Sequence, residues 1–103
     1  MKKIFTMGGK FDTRNYTVKD IIDQKGEKKL CQLLVSNVEE AAAAQDAGID
    51  MAITGVSGPY TKIRDAMPDT FLTVALSAAL CPTIEEAIKQ SYKIMSVGAD
   101  AIM

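Results

Sequence analysis

The sequence predicts an α/β fold built from a parallel (βα) repeat. Three observations predict it. Short apolar runs recur, Leu30–Val35 and Thr70–Leu76 without charge, and Asp50–Thr54 and Ala99–Met103 with one acid each at their start, Asp50 and Asp100, as strands covered on both faces require. Between them stand helix-start signatures with an acid three residues on, Asn37 with Glu40 and Thr83 with Glu86, in which the first side chain accepts from an early backbone N–H. An internal echo then repeats the unit: Glu39-Glu40-Ala41 leading to Gly48-Ile49-Asp50 matches Glu85-Glu86-Ala87 leading to Gly98-Ala99-Asp100. The second copy is longer by about one helical turn. Parallel strands need crossovers of this kind, and the pattern amounts to about half of a TIM-type (βα)8 barrel.

Residues 1–16 form a basic leader to which no firm element is assigned, apart from Ile4-Phe5 as a short edge strand. The repeat domain is residues 17–103. It opens with a helix capped at Thr17, with Val18, Ile21 and Ile22 on one face and Gly26 as its stop. Leu30–Val35 follows as a strand buried on both faces. The helix behind Asn37 runs through Ala41–Ala44, strong helix formers, to the left-handed stop at Gly48. After the strand ending at Thr54 comes a small-residue turn, Gly55-Val56-Ser57-Gly58. Pro59 starts a short helix with Tyr60, Ile63 and Met67 on one face and Lys62 and Arg64 on a solvated one. Ser77–Pro82 links the third strand to a longer helix, where Ile84, Ala87, Ile88, Ser91 and Met95 line one face. Met51, Met67 and Met95 read as core filler. The last strand is expected to leave a bare edge, so the chain reads as a piece of a longer barrel or as one of several copies that cover one another.

The chain has 103 residues, 48% of them apolar and 24% charged, with a net charge of −1. That suits one globular domain and recruits neither nucleic acid nor an acidic membrane. The charge is uneven: residues 1–29 hold eight Lys/Arg against four acids, and the remainder four against nine. Two cysteines without a CxxC, and no histidine, exclude the usual zinc sites and any Ser-His or Cys-His nucleophile. With neither a signal peptide nor a membrane-length apolar run, the expected location is cytoplasmic.

Ligands of parallel α/β folds bind at the carboxyl ends of strands. Those ends supply Ser36-Asn37, the Gly55–Gly58 turn and Leu76–Ala79, with hydroxyls, an amide and backbone N–H groups and no carboxylate, lysine or histidine. The candidate substrate-binding residues are therefore Ser57, Ser77, Gly55 and Gly58, and no metal ligand is assigned. The Gly55–Gly58 turn, ahead of a helix, could alternatively cradle the phosphate of a metabolite. Asn37 reads as a cap. The acids of Gly-x-Asp, at the opposite ends of the strands, read as stabilising residues.

Several of these pieces come in a familiar order: KGEKK (Lys25–Lys29), the helix ending AGID (Ala47–Asp50), G-x-S (Gly55–Ser57), PTIEEA (Pro82–Ala87) and VGADAI (Val97–Ile102). In this the chain resembles the start of the ketopantoate hydroxymethyltransferase family, of the phosphoenolpyruvate/pyruvate-binding barrel group. The resemblance implies a Mg²⁺-dependent (βα)8 transferase that uses methylenetetrahydrofolate to hydroxymethylate a small 2-oxo acid, 2-oxoisovalerate, on the way to pantothenate. It implies a large homo-oligomer as well. Carried over by position, Ser57 matches the keto-acid-binding serine. Val56 stands where the family has a metal-binding Asp, Leu76 and Ser77 stand nearest its second Asp, and Met103 replaces a substrate-binding Lys. The contrasting expectation is a non-catalytic half-barrel that binds or assembles.

Overall fold

The structure, a computed structural model, describes residues 1–103. The elements are β1 (Lys2–Phe5), β2 (Phe11–Arg14), α1 (Val18–Asp23), β3 (Gln32–Leu34), α2 (Val38–Asp46), β4 (Met51–Gly55), α3 (Tyr60–Ala66), β5 (Phe71–Ala75), α4 (Ile84–Val97) and β6 (Ala101–Ile102). From β3 onward strands and helices alternate. The four strands form one parallel sheet in the order β3-β4-β5-β6, without a reversal.

The caps work as the spacing predicts. Asn37 Oδ1 accepts from the Glu40 N–H at 2.8 Å, and Glu40 Oε1 accepts in return from the Asn37 side-chain amide at 3.2 Å. Thr83 Oγ1 accepts from the Glu86 N–H, and Thr17 exchanges both bonds of a capping box with Asp20. Gly98 closes α4 at φ 111°, a backbone state that side-chain-bearing residues avoid.

One face of the sheet carries the core. Val35, Ala52, Leu72 and Val74 pack with Ala41 and Ala44 of α2, Ile63 of α3 with Met67 just beyond it, and Ile94 of α4, so these three helices share that face. Strand alternation sends Leu34, Ile53, Thr73 and Ala101 to the other face, where the register sets them in one row.

Several expectations are corrected. The strand over Leu30–Val35 is not buried on both faces: β3 is an edge, all three of its residues are exposed, and burial begins only at Val35. An edge strand lacks a neighbour on one side, and nothing packs on its helix-free face. On α4 the row that turns inward is Ala87 and Ile94, while Ile84 and Ile88 are exposed. Arg64 lies in the core, whereas Lys62 is exposed as expected. Residues 1–16, given no firm element beyond Ile4-Phe5, form the antiparallel hairpin β1-β2, with Phe5 and Phe11 paired at 5.0 Å between ring centroids.

Candidate functional site

Strand direction gives the sheet two chemically different ends. At the N-terminal end the chain buries charge. Arg14, the last residue of β2, is 1% exposed; its Nε donates to Asp100 Oδ1 at 2.9 Å and its other nitrogens to the carbonyls of Thr13, Pro68 and Gly98. Arg64, on the last turn of α3, donates to Asp100 Oδ2 at 3.0 Å and to the carbonyls of Gly98, Met67 and Thr70. Asp12 adds a second carboxylate, 3.0 Å from Arg14. Two guanidinium groups and two carboxylates balance, as buried charge must. Burial, and then the Arg14 charge beside it, hold the Arg64 pKa below its ordinary value, against the pull of Asp100. Asp12 ends below its ordinary value too: burial raises it, but the Arg14 hydrogen bond, the Thr13 N–H and the two arginine charges outweigh that.

The Gly-x-Asp echo takes on physical meaning here. Asp50 accepts from the Cys31 N–H, just before β3, at 2.9 Å, and Asp100 accepts from the Leu72 N–H of β5, also at 2.9 Å. Each acid ties the start of its own strand to the start of the preceding neighbour in the sheet. Asn15 does the same for β4 and β5, donating to the Asp50 carbonyl and accepting from the Phe71 N–H. The largest cavity, about 590 Å³, lies at this end, with Asn15, Tyr16, Gln45, Asp46, Asp50 and Asp69 in its wall. The Asp50 and Asp69 carboxylates are already engaged, by Tyr16 and Cys31 and by Thr13.

The predicted site residues gather at the other end. Gly55 and Ala75 pair across β4 and β5, so Ser57 and Ser77 each follow a paired position by two residues on neighbouring strands. The ladder continues past the strands, with Val56 N–H donating to Ala75 O at 2.9 Å and Leu76 N–H to Met103 O at 2.8 Å. Gly58 N–H donates back to Gly55 O at 3.1 Å, which makes the turn tight. A Cβ on Gly58 would stand 3.5 Å from that carbonyl and 3.9 Å from Thr54 Oγ1. Ser57 is exposed and Ser77 half-buried. Ser57 N–H is left as the turn amide not taken by a backbone carbonyl, since those of Val56 and Gly58 are used. That is a sparse cradle for a phosphate.

Comparison with protein-family models, with curated proteins and with solved structures finds no match. The site therefore stands on its geometry. Val56 packs against the hydrophobic core, so this turn presents no carboxylate to a cation, and no group of three or more His, Cys, Asp or Glu residues is placed to hold a metal ion. The turn residues do not fit Mg²⁺. What the arrangement offers chemically is a pair of hydroxyls beside small residues and strand-end amides, suited to hydrogen-bonding the oxygens of a small ligand. No helix is long and apolar enough to cross a membrane.

Two residues of the N-terminal cluster escape a reading of the sequence. Arg14 lies in a stretch without periodicity and gives no signal. Arg64 does give one: it is four residues after Tyr60, on the same helical face as Ile63 and Met67.

Proposed function

We propose that this chain is half of a TIM-type (βα)8 barrel of the hydroxymethyltransferase kind, binding a small 2-oxo acid such as 2-oxoisovalerate at the carboxyl ends of β4 and β5. The observation that carries the reading is the unbroken strand order β3-β4-β5-β6, with Ser57 and Ser77 on adjacent strand ends. An open doubly wound sheet reverses its strand order at the ligand crevice; a singly wound one curls, and its strand ends form the mouth. In that mouth Ser57 donates to a carboxylate or keto oxygen, Ser77 reaches the same ligand from the next strand, and Gly55 and Gly58 keep the turn low enough for it to approach.

Methylenetetrahydrofolate belongs to the proposal as one-carbon donor through the resemblance alone, and no step is routed through Mg²⁺. Isothermal titration of 2-oxoisovalerate into the chain tests the reading. Binding that falls at least tenfold in Ser57→Ala, equivalent to about 1.4 kcal/mol, supports it; absence of binding with and without Mg²⁺ removes it. The second reading, a half-barrel that assembles without catalysis, is favoured by the exposed edge strand β3 and by the lack of charge at the carboxyl ends.

A further inference from the structure

The N-terminal hairpin has two unlike faces. Its register, with the alternation of side chains along a strand, puts Lys2, Ile4, Asp12 and Arg14 on one face and Lys3, Phe5, Phe11 and Thr13 on the other. Arg14 takes the first face into the molecule, where it is buried. The second face looks outward: Phe5 is 65% exposed and Phe11 84%. The two rings stand side by side across the strands, 5.0 Å between centroids and inclined by 56°. Single exposed apolar residues are ordinary on a protein surface, whereas a contiguous pair of aromatic rings marks a contact surface.

Charge on this ribbon is one-sided. Residues 1–11 hold Lys2, Lys3 and Lys10 and no acid. Lys3 and Lys10 make no ion pair, and Lys2 makes only a long one, 3.9 Å from Asp20. The next acid along the chain, Asp12, is taken up by Arg14 at 3.0 Å and by the Thr13 N–H at 2.9 Å. The net charge of −1 over the whole chain hides this local excess. Beside the rings a cavity of about 420 Å³ opens, with Lys3, Phe11, Asp12 and Thr13 in its wall.

We propose that this outer face binds a short segment of single-stranded nucleic acid. Phe11 and Phe5 each take a base against the ring, while Lys3 on the same face and Lys10 at the turn meet the phosphates. Every base has an aromatic face and every nucleotide the same charge, so such a platform holds a single strand with little regard for its sequence. The phosphates answer the unpaired lysines, which an apolar protein partner would leave uncompensated. An anionic membrane would answer them too, but the hairpin is poorly shaped to enter one. A membrane wedge leads with apolar residues, and this turn carries Gly8 and Gly9 with Met7 alone. The turn is also seated on α4, since a Cβ on Gly8 would stand 2.5 Å from the Ser96 carbonyl oxygen. The rings lie behind it, on the flat of the ribbon. The hairpin stands at the N-terminal end of the parallel sheet, away from Ser57 and Ser77, so the inference does not rest on the proposed 2-oxo acid site.

Fluorescence anisotropy of a labelled oligodeoxythymidylate of about ten nucleotides, within the range that one single-strand binding module covers, tests it, with oligouridylate in parallel. Either strand should bind at low salt, and binding by one alone tells DNA from RNA and upholds the proposal. Phe11→Ala should weaken binding about tenfold, the loss of one stacked base, and leave the salt dependence unchanged. Lys3→Ala should instead flatten the plot of log affinity against log salt by about 0.7, one phosphate's share on a single strand. Both side chains are exposed, so far-ultraviolet circular dichroism should not change. The chain has no tryptophan, and Phe11→Trp therefore supplies a direct readout that needs no loss of binding: its emission should be quenched by the oligonucleotide. No binding at low salt, binding indifferent to Phe11→Ala, an unquenched Phe11→Trp, or equal binding of a duplex of the same length would each overturn the proposal. So would co-sedimentation with phosphatidylserine vesicles in place of binding to either strand.

Discussion

The two ends of the parallel sheet are built on opposite principles. At the N-terminal end, Arg14, Arg64 and Asp100 are packed into the molecule and bonded to one another and to five backbone carbonyls, with the half-exposed Asp12 paired to Arg14 at the rim. At the carboxyl end stand Ser57, Ser77 and glycines, uncharged and partly open to solvent. On the function proposed above, the difference separates holding the fold from meeting a ligand. Charges satisfied inside the protein cannot also bind something from outside, whereas small hydroxyl-bearing residues on an open rim contribute little to stability and can be used elsewhere. The largest cavity lies at the charged end, where its Asp50 and Asp69 carboxylates already have partners. At the carboxyl end, by contrast, neither Ser57 nor Ser77 lines any of the cavities.

The contrast can be broken most severely at Asp100. Asp100→Ala removes the carboxylate shared by two buried guanidinium groups and should cost about 3–5 kcal/mol in urea denaturation. Asp100→Asn recovers part of this, since its amide oxygen still accepts from the Leu72 N–H. Next comes Arg64→Met, which should cost about 1–3 kcal/mol: Arg14 still neutralises Asp100, but the Met67 and Thr70 carbonyls lose their Arg64 donors. A smaller effect is expected from pH. Asp12 titrates in the folded chain below its ordinary value of 3.8. The stability it contributes is therefore fully present above the unfolded value, about 3.9, and is lost as pH falls through the lower folded one. Asp12→Asn should flatten the acid limb of a stability–pH curve by less than about 1 kcal/mol, because this carboxylate is partly solvent-screened. The smallest effect belongs to the other end: Ser57→Ala should leave the unfolding free energy within about 0.5 kcal/mol of the parent. A large loss there would erase the distinction between the ends.

How much of this was legible in the sequence differs by residue. Asn37 with Glu40, Thr83 with Glu86, and the stops at Gly26, Gly48 and Gly98 placed helix ends well, because capping bonds are local and their donors lie within three residues. The echo of Gly-x-Asp marked Asp50 and Asp100 as stabilising acids, and both tie neighbouring strands. Arg64 was misplaced on a solvated face although its spacing from Tyr60 puts it beside Ile63 and Met67; its charge spoke louder than its position. On α4 the expected face ran through Ile84, Ala87, Ile88, Ser91 and Met95; Ala87, Ser91 and Met95 do turn inward, beside the buried Ile94, while Ile84 and Ile88 are exposed.

By itself the sequence determined the alternation of strand and helix, the caps, and the small uncharged turns at the strand ends, since all of these rest on interactions between residues a few positions apart. The tertiary structure alone decided that Leu33 and Leu34 lie on an open edge, that the N-terminal hairpin delivers Arg14 to a carboxylate 86 residues away, and which stripe of α4 is left uncovered. An apolar run reads the same whether or not a neighbour covers it. A buried charge declares itself only when the fold brings its partner within hydrogen-bond reach.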